Sequence, residues 1–360
     1  MPTIRQYTNQ ALDKAYSRDS SAMFKQIDGY VRSGVVQSQV QALIEEAERL
    51  EDEGEGFTPN DAQLNQTLGT VDDVFNNAET AIIAHDNTIQ ESAVKIAQFS
   101  IIAQIIASLA PQLLGGDPFS ATSQKRYQTI LETKGVDWTT IEPNVINQIL
   151  NYVDSQAYLD KMAGWGDGYA AIVRNKVLTE VQRGNSPIYI AREIDKMLKL
   201  QPRYVVENFT RTLQLTGYRD AELAQATANQ AYIAYKIRNA VKDLRTCPAC
   251  LELDGTRLRA DERIDDHFKG RCFAIYVLPG QTVKYQTAKQ WFNGLPEPQQ
   301  AQLEYFKHNK SAFRAWQSGE VQWNDFVGEH TDPLFGKMPV ANSLTKMVGK
   351  ERALELRKVD

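Results

Sequence analysis

A chain of 360 residues, 42% of them hydrophobic, can bury a substantial core and has room for two or three packed units. Its net charge of -5 and isoelectric point near 5.6 argue against a dedicated nucleic-acid coat, which needs a concentrated excess of Lys and Arg. Three cysteines close no set of disulfides, which argues against a secreted disulfide scaffold and points to a reducing compartment.

The first 25 residues carry Arg5, Asp13, Lys14, Arg18 and Asp19 with no apolar stretch, so no secretory signal is expected. From Met23 to Leu50 the apolar residues fall at helical spacing, and the acidic, glycine-containing run Glu51 to Gly56 reads as a solvated connector. Thr58-Pro59 or Asn60-Asp61 then supplies the cap of a further helix.

Steps of four and three pick out Val71, Phe75, Ala78, Ile82, His85, Ile89, Ser92, Ile96, Phe99, Ala103, Ile106, Ala110 and Leu113, a seven-residue repeat. One helix of this extent is about 65 Å long at roughly 1.5 Å per residue, and it cannot bury its stripe alone. The stripe predicts the central helix of an intramolecular bundle or a self-associating helix, with His85 as a satisfied core histidine. The run Ile96 to Gly116 is free of charge and nearly as long as the roughly 20 residues that span a bilayer. Gln98, Ser100, Gln104, Ser108 and Gln112 recur within it, however, and a membrane is not expected. Pro111 and the run Gly115-Gly116-Asp117-Pro118 end the helix and place the first boundary, so that 1–116 forms an N-terminal helical region.

Residues 117–168 read as a helical connector, ending at a glycine-rich hinge, Gly164-Trp165-Gly166-Asp167-Gly168. Ala170 to Arg183 is a helix closed by Gly184, and Ser186-Pro187 opens the next, with serine capping and proline in the first turn. A further helical region is expected from Val205 to about Val241.

All three cysteines then fall together, Cys247, Cys250 and Cys272, with His267 between the last two. Cys-x2-Cys followed by a gap and His-x4-Cys offers four soft or borderline donors, the set that a structural Zn²⁺ prefers. Asp254-Gly255, flanked by Leu251-Glu252-Leu253 and Thr256-Arg257-Leu258, predicts a tight β-hairpin that brings the two pairs together. Phe273 to Leu278 is a β-type run stopped by Pro279-Gly280 and able to join that hairpin in a small sheet. Residues 169–280 thus form a core containing the module at 247–272, and 281–360 a helical tail carrying Trp291, Leu295-Pro296 and Phe313 to Glu320.

The expected fold is mainly α: a multi-helix bundle with a long N-terminal helix, plus a small Cys/His β-hairpin module. No phosphate-cradling glycine loop or nucleophile motif is present, and the order and spacing of a zinc deaminase are absent. The alternative is an HNH-type metal-dependent nuclease built on Asp266-His267, with Asn293 and His308 downstream. A plain binding module is a third class.

The run Asp243-x-Arg245-x-Cys247-Pro248-x-Cys250-x-x-Leu253-Asp254-Gly255, followed by His267 and Arg271, resembles the minor head proteins of tailed bacteriophages, the family of the phage Mu F protein. Where that family commonly ends in His-x-x-Cys-Arg-Cys, Gly270 stands at the first cysteine, while Arg271 and Cys272 match the last two positions. Arg183 to Ser186 leading into Ile190 to Ile194 is similar to the helix unit that precedes the motif. Arg211-Thr212 matches an Arg-Thr-Glu element in which Leu213 replaces the glutamate. The order of Trp291, Leu295-Pro296, the helix ending at Gly319 and Trp323 to Val327 is also similar, so the likeness covers roughly residues 170 to 345. It implies a non-enzymatic protein of head assembly, in contact with the portal and with the major capsid protein or scaffold. It also implies a place inside the virion head near the portal, after assembly in the host cytoplasm, with contact with packaged DNA as a further expectation; self-association is expected separately, from the long N-terminal helix.

Overall fold

The computed structural model describes residues 4–109, 117–151, 155–332 and 335–358. The chain is predominantly helical, as expected, with one three-stranded sheet and one two-stranded sheet among the described residues. It divides into two units built from interleaved segments: Leu12–Ser92 with Leu150–Gln214, and Met1–Ala11 with Ala93–Ile149 and Leu215–Asp360.

Among its described residues, the elements of the first of these are all helices. It comprises most of α1 (Ile4–Asp19), α2 (Ser21–Val31), α3 (Gly34–Glu53), the first part of α4 (Ala62–Leu109), α7 (Gln156–Gln182) and the first part of α8 (Pro187–Ala228). The helical run expected from Met23 to Leu50 is broken at Ser33, whose hydroxyl accepts from the Val36 amide and starts α3. Asp61 caps α4 by accepting from the Leu64 amide at 2.9 Å, the Asn60-Asp61 alternative of the sequence. Val36, Val40, Leu43 and Ala47 pack against Leu64, Leu68, Val71 and Phe75 of α4, and against Ala170, Val173, Ile190 and Ile194 of α7 and α8.

The stripe of α4 is buried within the chain, but its line drifts. Val71, Phe75, Ala78, Ile82 and Ile89 are buried; at Ser92, Ile96 and Phe99 the stripe is only half-buried, with Ala93 and Ala97 turned inward instead, and Ala103 and Ile106 are buried again beside Ile101 and Ile105. A helix at 3.6 residues per turn rotates away from a strict seven-residue repeat. His85 is therefore only half-buried, and its neighbour Asp86 faces inward instead, accepting a hydrogen bond from Tyr158 at 2.6 Å. α4 also contains a stretch long and apolar enough to cross a membrane, with residues buried in the interior. The expected stop at Pro111 and Gly115-Gly116 lies outside the described residues.

The hinge expected at 164–168 is instead the middle of α7. Gly166 serves close approach, since a Cβ there would stand 3.2 Å from Glu79 and 3.5 Å from the Phe75 carbonyl, whereas Gly164 and Gly168 face open space. The adjacent Trp165 and Tyr169 rings pack on Phe75, and this tertiary contact outweighs the roughly 1 kcal/mol helix penalty of each glycine. α8 likewise runs through Pro202, because Met197, Leu198, Val205, Val206 and Phe209 are buried along it. It ends at Ala228 rather than near Val241.

The second unit carries the sheets. β1 (Tyr235–Asn239) is the central strand, antiparallel to β2 (Arg257–Leu258) on one side and β3 (Phe273–Val277) on the other. The free edge of β3 is closed by a side chain of α4: Gln104 donates to the Ala274 carbonyl at 3.3 Å and accepts from the Tyr276 amide at 3.2 Å. Ala103, Ile105 and Ile106 of α4 share a core with Tyr127 and Leu131 of α5 (Ala121–Thr133), and with Ala274, Tyr276 and Leu278. The helical connector expected over 117–168 is interrupted after α5; residues 137–141 run without helix, held by Asn229 and Gln225, and α6 (Pro143–Leu150) follows.

The C-terminal part was expected to be helical throughout. It has α10 (Ala288–Asn293), α11 (Glu297–Gln300), α12 (Glu304–His308), α13 (Lys310–Gln317), α14 (Leu344–Val348) and α15 (Lys350–Arg357), but also the hairpin β4 (Val327–Asp332) and β5 (Gly336–Ala341). Phe292, Phe306, Phe313, Trp316, Trp323 and Phe326 form a continuous aromatic cluster that shares a core with Cys250 and Cys272.

Candidate metal centre

The predicted Asp254-Gly255 hairpin is replaced by a helix and a turn. Pro248 has no amide hydrogen to leave unpaired, so it suits the first turn of α9 (Pro248–Leu253), and the Cys247 sulfur caps that helix by accepting from the Cys250 amide at 3.3 Å. Asp254 and Gly255, the latter at φ 89°, then turn the chain from α9 into β2, which pairs with β1. The Asp254 carboxylate, fully buried, holds three segments together: it accepts from the Ala240 amide, from Tyr285 at 2.6 Å and from the Ala288 amide at 2.6 Å.

After β2 the chain loops through Asp266 and His267 and returns to β3 by way of Lys269, at φ 55°, and Gly270. Gly270 is required by contact: a Cβ there would lie 2.1 Å from the Asp266 carboxyl carbon. Arg271 forms a two-pronged pair with Asp243, at 2.6 and 2.7 Å, which ties the return of this loop to the approach to Cys247.

These loops bring Cys247, Cys250 and His267 into one group, and Cys250, Asp266 and Cys272 into a second, with the ligand atoms of each group within 4.8 Å of one another. The four predicted donors thus fall in two overlapping groups that share Cys250. Asp266 is the addition; the sequence offered it only as a nuclease residue, because nothing local distinguishes it from Asp265. His267 Nδ1 donates to the Phe268 carbonyl at 2.8 Å, which leaves Nε2 as the nitrogen available to a cation.

A hydrogen bond with Cys247, burial and the Asp266 charge outweigh the opposing hydrogen bond with Cys272 and push the Cys250 thiol up to about 12, and a hydrogen bond with Cys250 together with burial raises Cys272 well above the ordinary thiol range. Burial opposes a charge on His267, but Cys250 and Asp266 outweigh it and carry the imidazole up to about 10. Burial also opposes the charge of Asp266; Arg219, His267 and Arg238 nevertheless hold it below the usual carboxylate range. A cation that enters this group must displace protons, and three sulfurs with one imidazole nitrogen form a donor set that fits Zn²⁺.

The nuclease alternative gains no support from this geometry. Neither Asn293 nor His308 joins these groups among the described residues, and His308 pairs with Glu304 on α12 at 3.0 Å.

The fold and site define a class: a three-stranded antiparallel sheet backed by long helices, with a thiol and imidazole cluster at its loops. Residues 171–282, from within α7 to just past β3, match the family described as Phage Mu protein F like protein, so this part of the chain is similar to that family. Neither the curated proteins nor the solved structures include a significant match to the chain.

Proposed function

We propose that this protein is a non-enzymatic minor component of a tailed-phage head, acting in head assembly in contact with the portal and the inner capsid surface, and that Cys247, Cys250, His267 and Cys272 hold a structural zinc ion. The observation that carries the metal reading is that all three thiols of the chain fall in two overlapping groups joined by Cys250, with His267 Nε2 left available in one of them. Four protein ligands close a zinc site and leave no position for a reacting water, so the ion serves the fold. It would join α9 to the loop before β3, and so fix the module against the aromatic C-terminal core. The family match supports the phage setting.

The assembly reading is tested by quantitative mass spectrometry of purified DNA-filled particles and empty precursor heads. A small, fixed number of copies per portal ring is expected; absence from both kinds of particle overturns it. The metal reading is tested with Cys250→Ser, which is expected to release about one equivalent of zinc and to lower thermal stability. A parent chain without bound metal, and a variant of equal stability, would remove the zinc.

A further inference from the structure

Two arginines from different elements meet at Asp266. Arg219, on α8, donates to Oδ2 at 2.9 Å, and Arg238, on β1, reaches Oδ1 at 3.5 Å; both guanidiniums are almost fully buried. Arg219 also donates to the Gly270 and Cys272 carbonyls, while Arg238 donates to the Asp265 carbonyl and lies 3.9 Å from the Cys250 sulfur.

Asp266 itself is saturated. Its oxygens accept from both arginines, from the backbone amides of His267 at 3.0 Å and Cys272 at 2.8 Å, and from the Cys250 thiol at 3.5 Å. Two carboxylate oxygens offer about four lone-pair sites, so none is left for a cation.

This arrangement has a charge that its protein atoms leave unbalanced. Two guanidiniums against one carboxylate give this hydrogen-bonded cluster one net positive charge, apart from the His267 proton that a cation would displace, and that charge is costly to bury. A divalent cation held by three thiolates and a neutral imidazole carries one net negative charge. Together they sum to zero.

We propose that Arg219 and Arg238 are affinity-determining residues of the metal centre. They neutralise the thiolate-bound divalent cation from outside its ligand shell, and Asp266 bridges them without being a ligand. Arg219 makes metal retention depend on α8, outside the cysteine-bearing loops. The inference rests on the metal reading above and extends it from ligands to the charges that hold them.

The test uses the full-length chain, with zinc affinity measured by chelator competition, the ligand set read from the electronic spectrum of the cobalt form, and folding checked by circular dichroism. Arg219→Gln is expected to weaken zinc binding about 10- to 100-fold with an unchanged cobalt spectrum, whereas Arg219→Lys, which keeps the charge, stays close to the parent. Adding Asp266→Asn to Arg219→Gln restores the net charge and is expected to recover most of the affinity; a purely structural role predicts that the two losses accumulate. If Arg219→Gln fails to fold, Arg238→Gln gives the same reading. Parent-like affinity in a folded arginine-to-glutamine variant, accumulated losses in the double variant, or a changed ligand set in Asp266→Asn would each overturn the proposal. If the parent takes up no zinc or cobalt, the metal reading itself fails, and this one with it.

Discussion

The interface between α8 and the three-stranded sheet contains two buried carboxylates that behave in opposite ways. Arg219 and Glu222 stand one turn apart on α8, and Lys236 and Arg238 two residues apart on β1, so each pair shares a face. At one end of this seam Asp266 receives two guanidiniums and two backbone amides, and stays charged. At the other, Glu222 has the Tyr218 hydroxyl at 3.4 Å and the charge of Lys236, whose ammonium is hydrogen-bonded to the Ala260 carbonyl. Burial then dominates, despite Lys236 and Arg219, and raises Glu222 to about 7. Depth alone does not set the charge state of a buried acid; the number of donors converging on it does.

The sharpest way to break this contrast is Asp266→Ala. It strands two buried guanidiniums and is expected to cost about 3–5 kcal/mol in chemical denaturation. A loss below about 1 kcal/mol would show that the donors around Asp266 contribute little. Gly270→Ala attacks the same end through sterics, driving a methyl group into the carboxylate, with an expected loss of about 1–3 kcal/mol. The Glu222 end is probed by pH. Because the folded chain holds this proton more tightly than the unfolded chain, stability should fall as pH rises from about 4.5 to about 7, by up to about 3 kcal/mol, and stay level above. Urea midpoints across that range should show the decline in the parent and lose it in Glu222→Gln; an equal decline in both would place its cause elsewhere. The smallest effect belongs to Gln104→Leu, which uncovers the β3 edge and is expected to cost about 1–2 kcal/mol in denaturation midpoint, with increased self-association by light scattering.

Local signals were the legible ones. Asp61 as a cap, Gly184 and Ser186-Pro187 as a helix break, and the clustering of the cysteines all act within one or two turns of chain. β1 was read as helix because its alternation is disguised: Lys236 and Arg238 point into the protein, toward partners that the sequence does not place beside them. Asp254-Gly255 looked like a hairpin turn, since the helix before it depends on the Cys247 cap, Pro248 and the core packing of Leu251. The glycines at 164–168 misled for the same reason: Gly166 lies against α4, and packing of Trp165 and Tyr169 on Phe75 keeps the run helical. At the site, the thiols and imidazole were readable from spacing, whereas Arg219, nearly thirty positions before the first cysteine, carried no local mark.

The core beneath the sheet has a practical consequence for dissecting the protein. The family match begins at residue 171, yet Tyr276 and Ala274 share their core with Ile101, Ile105 and Ile106, and with Tyr127 and Leu131. It ends at residue 282, before Phe292, Phe306 and Phe326, which share a core with Cys250 and Cys272. A fragment cut at the limits of the match would therefore carry the sheet and all its candidate ligands while exposing apolar surface on two sides, a recipe for aggregation. The segment that sequence comparison delimits is smaller than the unit that folds.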